Sequence, residues 1–212
     1  LNTLAYSYDG INWKGLGIGV LRGGVWRIAS DGTFGVRDQD AQCSQAGTLS
    51  CRWVAFGYND VTTFNIAYSN TPTISSSWQE ISDNTFTSNT ITPFGRGVCW
   101  AGGNIWIGVG ASNPTIVRST DNALTWTAVE NNNKFFNLVG KSVNSNYNNE
   151  LINNGTIALG KGTNNMAYSD DNGITWQNQN LDFFTEGNAI GWNGSILLAA
   201  GIGVTGTSTF AY

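Results

Sequence analysis

Short hydrophobic segments recur along the chain, and turns rich in Gly, Asn and Asp separate them. One segment reads WVAFG at 53–57 and returns as WIGVG at 106–110, TIALG at 156–160 and LLAAG at 197–201, with a looser copy, WRIAS, at 26–30. Another segment runs into a Gly-containing turn at 97–103 and again at 189–194. Short hydrophobic runs bounded by turn residues are typical of β-strands, so the pattern predicts an all-β fold.

A further phrase combines a strand with a polar turn and ends at Trp. It reads LAYSYDGINW at 4–13, IVRSTDNALTW at 116–126 and MAYSDDNGITW at 166–176, whereas the copy at 69–78 keeps only its ends. The closing tryptophans are Trp13, Trp78, Trp126 and Trp176, so successive copies lie 65, 48 and 50 residues apart. The last residues, 210–212, look like the start of another copy.

These phrases define a repeating unit of four short strands. Four strands about every 40 to 55 residues are typical of a propeller blade. The sequence therefore predicts a single β-propeller domain over 1–212 with about five four-stranded blades, in units of roughly 1–36, 37–90, 91–135, 136–182 and 183–212. A β-sandwich is the alternative, but it gives no reason for the period. Because both ends carry the third-strand phrase, the ring either closes with an irregular seam or is an excerpt of a larger propeller.

The polar turn has a local physical explanation. At 169–176, Ser169 begins the turn, and Asp171 is placed to accept hydrogen bonds from the backbone N–H groups that follow. Gly173 supplies a positive-φ position at little cost, and Trp176 packs between blades or over the hairpin.

The pattern Ser-x-Asp-x-Gly-x-x-Trp resembles the Asp-box, also called the bacterial neuraminidase repeat. The matching residues are Ser169, Asp171, Gly173 and Trp176; Ser119, Asp121 and Trp126, with Ala123 in the Gly position; and Ser7, Asp9, Gly10 and Trp13, with one residue fewer. The resemblance implies a propeller in which the box is a structural turn on the outer edge, away from the ligand-binding face.

The same resemblance raises the hypothesis of a sialidase-like glycoside hydrolase. That chemistry needs three arginines for a substrate carboxylate and a Tyr nucleophile with a Glu partner. Such enzymes carry an Arg-Ile-Pro sequence near their start, and Arg27-Ile28-Ala29 matches it only in its first two residues. Glu80 and Glu130 are expected to be solvated. The chain has no His, which excludes Ser-His-Asp and Cys-His catalysis. We therefore expect a protein that is not an enzyme.

Charge and cysteine content remove further classes of function. Charged residues make up 11% of the 212 residues, the net charge is −4, and the basic residues are scattered, so neither a nucleic acid nor an anionic membrane surface is expected as a partner. The longest apolar stretch, at 196–202, is far shorter than the roughly 20 residues of a membrane span, so membrane insertion is not expected. The chain has no His, and its three Cys include no pair with metal-ligand spacing, so no metal or cofactor is predicted. Cys43 and Cys51 either form a disulfide across a hairpin or are buried thiols. The chain starts at Leu1 without a signal-peptide pattern, and we expect a piece of a longer polypeptide.

Two functions without catalysis remain. One is a structural, assembly or adhesion module on a cell or virion surface, whose partners are other chains of a larger assembly; in style, the chain resembles Asp-box propellers of large secreted and phage proteins. The alternative is a multivalent lectin, since the chain has nine Trp and many polar side chains that suit surface glycans. Its candidate residues, in the turns after the first strands, are Trp100, Asn104, Trp192 and Asn193. These tryptophans would otherwise fill the space between blades.

Overall fold

The computed structural model describes residues 2–31, 52–60, 65–81, 94–111, 114–129, 139–145, 155–192, 196–204 and 210–211. The regular structure in these ranges is antiparallel β-sheet, apart from one 3-10 turn at Ser75–Ser77. This confirms the predicted all-β fold. Within the same ranges, no helix has the length and hydropathy needed to cross a membrane.

The strands follow one another in chain order. They are β1 (Ala5–Tyr6), β2 (Lys14–Gly15), β3 (Gly24–Ser30), β4 (Trp53–Tyr58), β5 (Ile66–Ser69), β6 (Gln79–Glu80), β7 (Phe94–Trp100), β8 (Trp106–Ala111), β9 (Ile116–Ser119), β10 (Thr127–Ala128), β11 (Val139–Ser145), β12 (Thr156–Lys161), β13 (Met166–Ser169), β14 (Gln177–Gln179), β15 (Phe184–Trp192), β16 (Leu197–Gly203) and β17 (Phe210–Ala211).

The strands form five units, and within each unit the strands that are adjacent in sequence pair with one another. We call β1–β2 the N-terminal hairpin, β3–β6 blade 1, β7–β10 blade 2, β11–β14 blade 3 and the three strands β15–β17 blade 4. Blades 2 and 3 are linked by a single backbone pairing between Ala111 and Val139. The first strands lie side by side in chain order, because β7 contacts β3 and β11, and β11 contacts β15. A β-propeller requires this arrangement, with first strands inside and fourth strands outside.

The first strand of blade 1 corrects one detail of the sequence analysis. The segment 26–30 is not a looser copy of a second strand, because β3 pairs antiparallel with β4 as the first strand of that sheet. Blade 1 therefore includes Gly24, ahead of residue 37. First and second strands have similar composition, so hydrophobic pattern alone does not order them. The five-blade count stays a prediction.

The core lies between blades, because the second strands of blades 1, 2 and 3 bury side chains on both of their faces. In blade 1, Val54 and Phe56 join a cluster with blade 2, whereas Ala55 joins a cluster with the segment after the N-terminal hairpin. The ring of Phe56 meets the edge of Trp126 from blade 2, with centroids 5.1 Å apart. This double burial explains why the second strands read as continuous hydrophobic runs.

Each first strand carries a β-bulge opposite a recurrent Gly near the end of the second strand. The extra residues at this register are Trp26 in β3, Arg96 in β7, Lys141 in β11 and Asn188 in β15, and we call these four the bulge residues. β15 has a second extra residue, Thr185, nearer its start. The bulge brings the first-strand backbone close to the second strand. A Cβ at Gly57 would overlap the carbonyl oxygen of Gly24, and a Cβ at Gly201 would overlap that of Glu186. The recurrent Gly is therefore required by this close approach.

We predict that Gly57→Ala destabilises the protein by about 1–3 kcal/mol, because the new methyl group collides with backbone that cannot rotate away. Gly191→Ala is the matched control, since a Cβ at this strand position has no atom within 4 Å. Chemical denaturation of both variants measures the difference. Equal stability of the two variants would contradict the close approach at the bulge.

Candidate functional site

Three of the polar turns share one hydrogen-bond pattern, and we call the segments 7–13, 119–126 and 169–176 the Asp turns. In the third, Ser169 Oγ donates to Asp171 Oδ1 at 2.8 Å and accepts from the Gly173 N–H at 2.9 Å. Asp171 Oδ1 also accepts from the N–H groups of Ile174 and Thr175, at 2.9 and 2.8 Å. The Thr175 hydroxyl donates to Asp171 Oδ2 at 2.5 Å. One carboxylate thus holds the whole turn.

The other Asp turns keep this geometry although their residues differ. Asp121 accepts from Ser119 and from both the N–H and the hydroxyl of Thr125. In the shorter first turn, Asn12 replaces Thr and donates through its N–H and its side-chain amide to Asp9, each at 2.7 Å. The Gly position is left-handed in all three, with φ of 73° at Gly10, 63° at Ala123 and 79° at Gly173. The backbone conformation is thus the constant feature.

The turn at 69–78 reaches a related shape without Asp. The Ser69 hydroxyl accepts from the Thr71 N–H at 3.0 Å and lies 2.6 Å from the Ser77 hydroxyl. Ser77 in turn donates to backbone carbonyls of the turn. The Trp78 indole N–H donates to the Pro72 carbonyl at 3.1 Å, and the ring is buried. Ser69 and Trp78, the two residues that this segment shares with the Asp turns, are therefore its buried positions.

Hydrogen bonding dominates the electrostatics of the Asp turns. Desolvation is the largest single effect on the pKa of Asp171 and raises it, but the bonds from Thr175, Ser169 and Ile174 together outweigh desolvation and hold the pKa below its ordinary value. The same balance lowers the pKa of Asp121. Backbone and side-chain bonds from Asn12 hold the pKa of the exposed Asp9 far below its usual range. These carboxylates are structural anions.

The third Asp turn also connects neighbouring blades. It joins the third strand of blade 3 to the outer fourth strand, yet Gly173 lies against Ile107 of blade 2. The Arg118 Nε–H of blade 2 donates to the Asn172 carbonyl at 2.8 Å. Trp176 packs against the cluster shared by blades 2 and 3, and its indole N–H donates to the Gly173 carbonyl at 3.1 Å. The ring thus packs between blades, which is one of the two placements that the sequence predicts.

The lectin candidates of blade 2 lie beside an Asp turn. The Trp100 indole N–H donates to the Gly103 carbonyl at 2.9 Å, and the half-buried ring packs against the cluster between blades 1 and 2. Asn104 is exposed, and its carbonyl accepts from the Asn122 N–H at 3.0 Å. The resemblance puts ligands away from these turns, so the two expectations exclude each other in blade 2. The Trp192 side chain and Asn193 lie outside the described residues.

The candidate catalytic groups are spread over different sites. Arg22 pairs with Asp60 at 3.5 Å, whereas the Arg52 guanidinium lies 4.2 Å over the Tyr68 ring. Glu80 is not solvated as expected, because it accepts from the Leu21 N–H at 2.7 Å and from Asn59 at 3.0 Å. Its bonds fix the chain that enters blade 1. A lone Glu after Trp in the sequence gave no signal of this role.

The His, Cys, Asp and Glu side chains in the described part of the chain were compared with the requirements of a metal site and of a reactive thiol. No group of three or more His, Cys, Asp and Glu side chains there is arranged to hold a metal ion. Cys99 is a buried free thiol, and burial raises its pKa far above the ordinary value. Burial of this kind makes a thiol unreactive. Cys43 and Cys51 lie outside the described residues, and their disulfide stays a prediction.

The bulge residues are the positions that sequence reasoning missed. Each stands at the same register to the recurrent Gly of the second strand, but Trp, Arg, Lys and Asn share no residue type that would mark a repeat. The signal available in the sequence is the recurrent Gly on the opposite strand. The buried residue before each third strand was missed too: the carbonyls of Asn65, Thr115 and Asn165 accept from those recurrent glycines at 3.0–3.1 Å.

Comparison with solved structures supports this geometry. The crystal structure of a GH74 enzyme from Niastella koreensis aligns with 92% of this chain at a TM-score of 0.58 and 16% identity. The fold is a β-propeller. The chain covers 29% of that enzyme, and thus less than a third of its length.

Two weaker matches are a GH74 xyloglucanase from Xanthomonas campestris and YCF48 from Cyanidioschyzon merolae. The first aligns with 72% of this chain and 21% of its own at a TM-score of 0.46 and 17% identity. The second aligns with 76% of this chain and 54% of its own at a TM-score of 0.40 and 14% identity. No family model and no curated protein matches the chain.

We predict that Asp171→Ala destabilises the propeller by about 1–3 kcal/mol at neutral pH, because several donors of the turn lose their acceptor. The folded-state pKa is lowered, so the stabilisation is present at neutral pH and is lost as pH falls below about 4 toward that folded-state pKa. Denaturation curves between neutral and acid pH measure both effects.

Asp170→Ala is the control for this variant, because the neighbouring Asp170 is exposed and outside the hydrogen-bond pattern of the turn. It should change stability by less than about 0.5 kcal/mol. Equal effects of the two substitutions, or a deficit of Asp171→Ala that persists at acid pH, would contradict the structural role of the Asp171 carboxylate.

Proposed function

We propose that this chain is a non-catalytic structural module of the Asp-box propeller type, exposed on a cell or particle surface, through which further protein chains assemble, copies of itself included. The observation that carries the proposal is an apolar blade face that stays exposed among the described residues. We call it the open face: the side of blade 4 formed by Leu198, Ala200, Ile202 and Phe210.

The open face is recognised by comparison with blade 1. Leu198 stands at the register position of Val54, which is fully buried against blade 2. Leu198 and Ile202 are instead 49% and 51% exposed, and Phe210 on the adjoining strand is exposed too. The opposite side of blade 4 is covered by blade 3 through Phe184 and Ala199 in the normal way. Blade 4 therefore presents half of a blade interface.

The N-terminal hairpin presents the other half. Trp13 closes the first Asp turn and is 65% exposed, whereas Trp78 and Trp126 are buried at the same position of blades 1 and 2. Ala5 is exposed although its counterparts Ala67 and Val117 are fully buried. Both end units thus retain apolar surface of the kind that the internal blades bury. A protein chain with an apolar patch is the partner that suits such surfaces.

Three features support the remaining parts of the proposal. The Asp turns are anchored as structural elements, which suits the Asp-box type. Four of the five described arginines, Arg22, Arg52, Arg96 and Arg118, contact separate partners, which favours a role without catalysis. The low charge, with a net value of −4, favours a protein partner over a nucleic acid or an anionic membrane surface.

The proposal predicts concentration-dependent association of the purified chain through the open face. Sedimentation velocity should show oligomers of the unaltered protein, and Leu198→Asp with Ile202→Asp should shift the population to monomer, because buried charges oppose apolar contact.

Ile174→Asp is the matched control, since Ile174 is 60% exposed, slightly more than Leu198 and Ile202, but lies on an Asp turn. It should associate like the unaltered protein. A monomer at every concentration, or the same loss of association in the control, would reject the open face as an assembly surface.

A further inference from the structure

We infer that the bulge residues form a binding site for an anionic polysaccharide, one that carries carboxylate or sulfate groups, on the inner wall of the propeller. This site is independent of the open face. The observation behind it is that one backbone irregularity recurs in four successive blades and carries a different side chain in each. β-bulges re-aim side chains and are enriched near binding and active sites.

Topology puts the bulge residues at one level of the inner wall. The bulge is the third residue of the first strand in blades 1 to 3 and the fifth of nine in blade 4, and each lies opposite the recurrent Gly near the end of the second strand. The Asp turns follow the third strands, which run parallel to the first, so the turns lie at the other end of each blade. The first strands are neighbours around the wall. Four equivalent positions therefore follow one another along a curved track.

Trp26 and Arg96 form the best-defined part of this track. The Arg96 guanidinium carbon lies 4.6 Å from the centroid of the Trp26 ring, across the boundary between blades 1 and 2. Trp26 is nevertheless 52% exposed, whereas Trp106 and Trp126 at the interface of blades 1 and 2 are buried. A half-exposed indole held in place by a cation offers a rigid apolar face to a ligand.

The chemistry of the track suits a charged sugar chain. The C–H face of a pyranose packs on the exposed indole of Trp26, and the planar guanidinium of Arg96 binds a carboxylate or sulfate. Lys141 occupies the same backbone position in blade 3, and the exposed Asn188 brings an amide for hydroxyl groups in blade 4. The nearby Glu186 is buried and paired with Lys161 at 3.0 Å, so it adds little repulsion.

A saccharide suits the track better than a single-stranded nucleic acid. The four positions hold two cations, and the whole chain has ten Lys and Arg against fourteen Asp and Glu. Nucleic-acid binding depends on neutralising many successive phosphates, which needs a wider basic surface. An anionic saccharide has polar hydroxyl groups between its charges, and these suit an amide and an indole.

Isothermal titration of the purified chain tests the inference with four probes: an oligogalacturonate, a sulfated galactan, a neutral cello-oligosaccharide and a single-stranded oligothymidylate. We expect one or both anionic saccharides to bind, with affinity that falls as salt is raised. Trp26→Ala, and separately Arg96→Gln, should weaken that binding by about tenfold or more. The two anionic probes separate recognition of carboxylate from recognition of sulfate.

Two controls distinguish the track from general charge or aromatic content. Arg27→Gln removes an exposed cation next to Trp26 in the sequence. Arg27 is not a bulge residue, because it pairs in register with Phe56 of the second strand. Trp13→Ala removes an exposed indole of the outer hairpin. Both should bind like the unaltered protein. Absence of anionic-saccharide binding at millimolar concentration, tighter binding of the neutral or thymidylate probe, or equal loss in the controls would overturn the inference, whereas failure of self-association would leave it unaffected.

Discussion

The packing of one blade face against the next is the interaction on which the rest of this structure depends. A sheet of four short strands buries too little surface to be stable alone, so each blade needs a neighbour on both sides. The contact of Phe56 with Trp126, and the glycines of blade 2 that leave room for Phe56, are one instance of this requirement. Blade 4 and the N-terminal hairpin each satisfy it on one side, which is why their apolar residues are exposed.

The Asp turns solve a second problem, which is how to end a strand of four residues without a helix or a long loop. A Ser at the end of the third strand and an Asp two residues later supply acceptors for the N–H groups that the turn would otherwise leave unpaired. The solution uses one charge for each turn, in keeping with a chain in which charged residues make up 11%. Because the third turn also bonds to Arg118 of the preceding blade, local order and interblade packing reinforce each other.

The sequence was informative wherever one residue type has one physical reason to occupy a position. The second strands, the third strands and the anchored turns were predicted because Gly, Asp and Trp recur there for steric and hydrogen-bonding reasons. The first strand of blade 1 was misassigned, since hydrophobic residues suit first and second strands equally. The hydrogen bond from the Leu21 N–H to Glu80 joins residues 59 positions apart, and no local sequence pattern predicts it. The bulges were missed because the backbone repeats there while the side chains do not.

This contrast distinguishes two kinds of position in the propeller: positions that the fold fixes, and positions where the backbone repeats but the side chain varies. A position that keeps its residue in successive blades, such as the Gly near the end of the second strand, is fixed by a steric requirement that every blade shares. A position that keeps its backbone but changes from Trp26 to Arg96, Lys141 and Asn188 is not fixed by such a requirement, because a different side chain stands there in each blade. Chemistry specific to this chain is therefore best sought where the blades differ, which directs attention to the inner wall and away from the Asp turns.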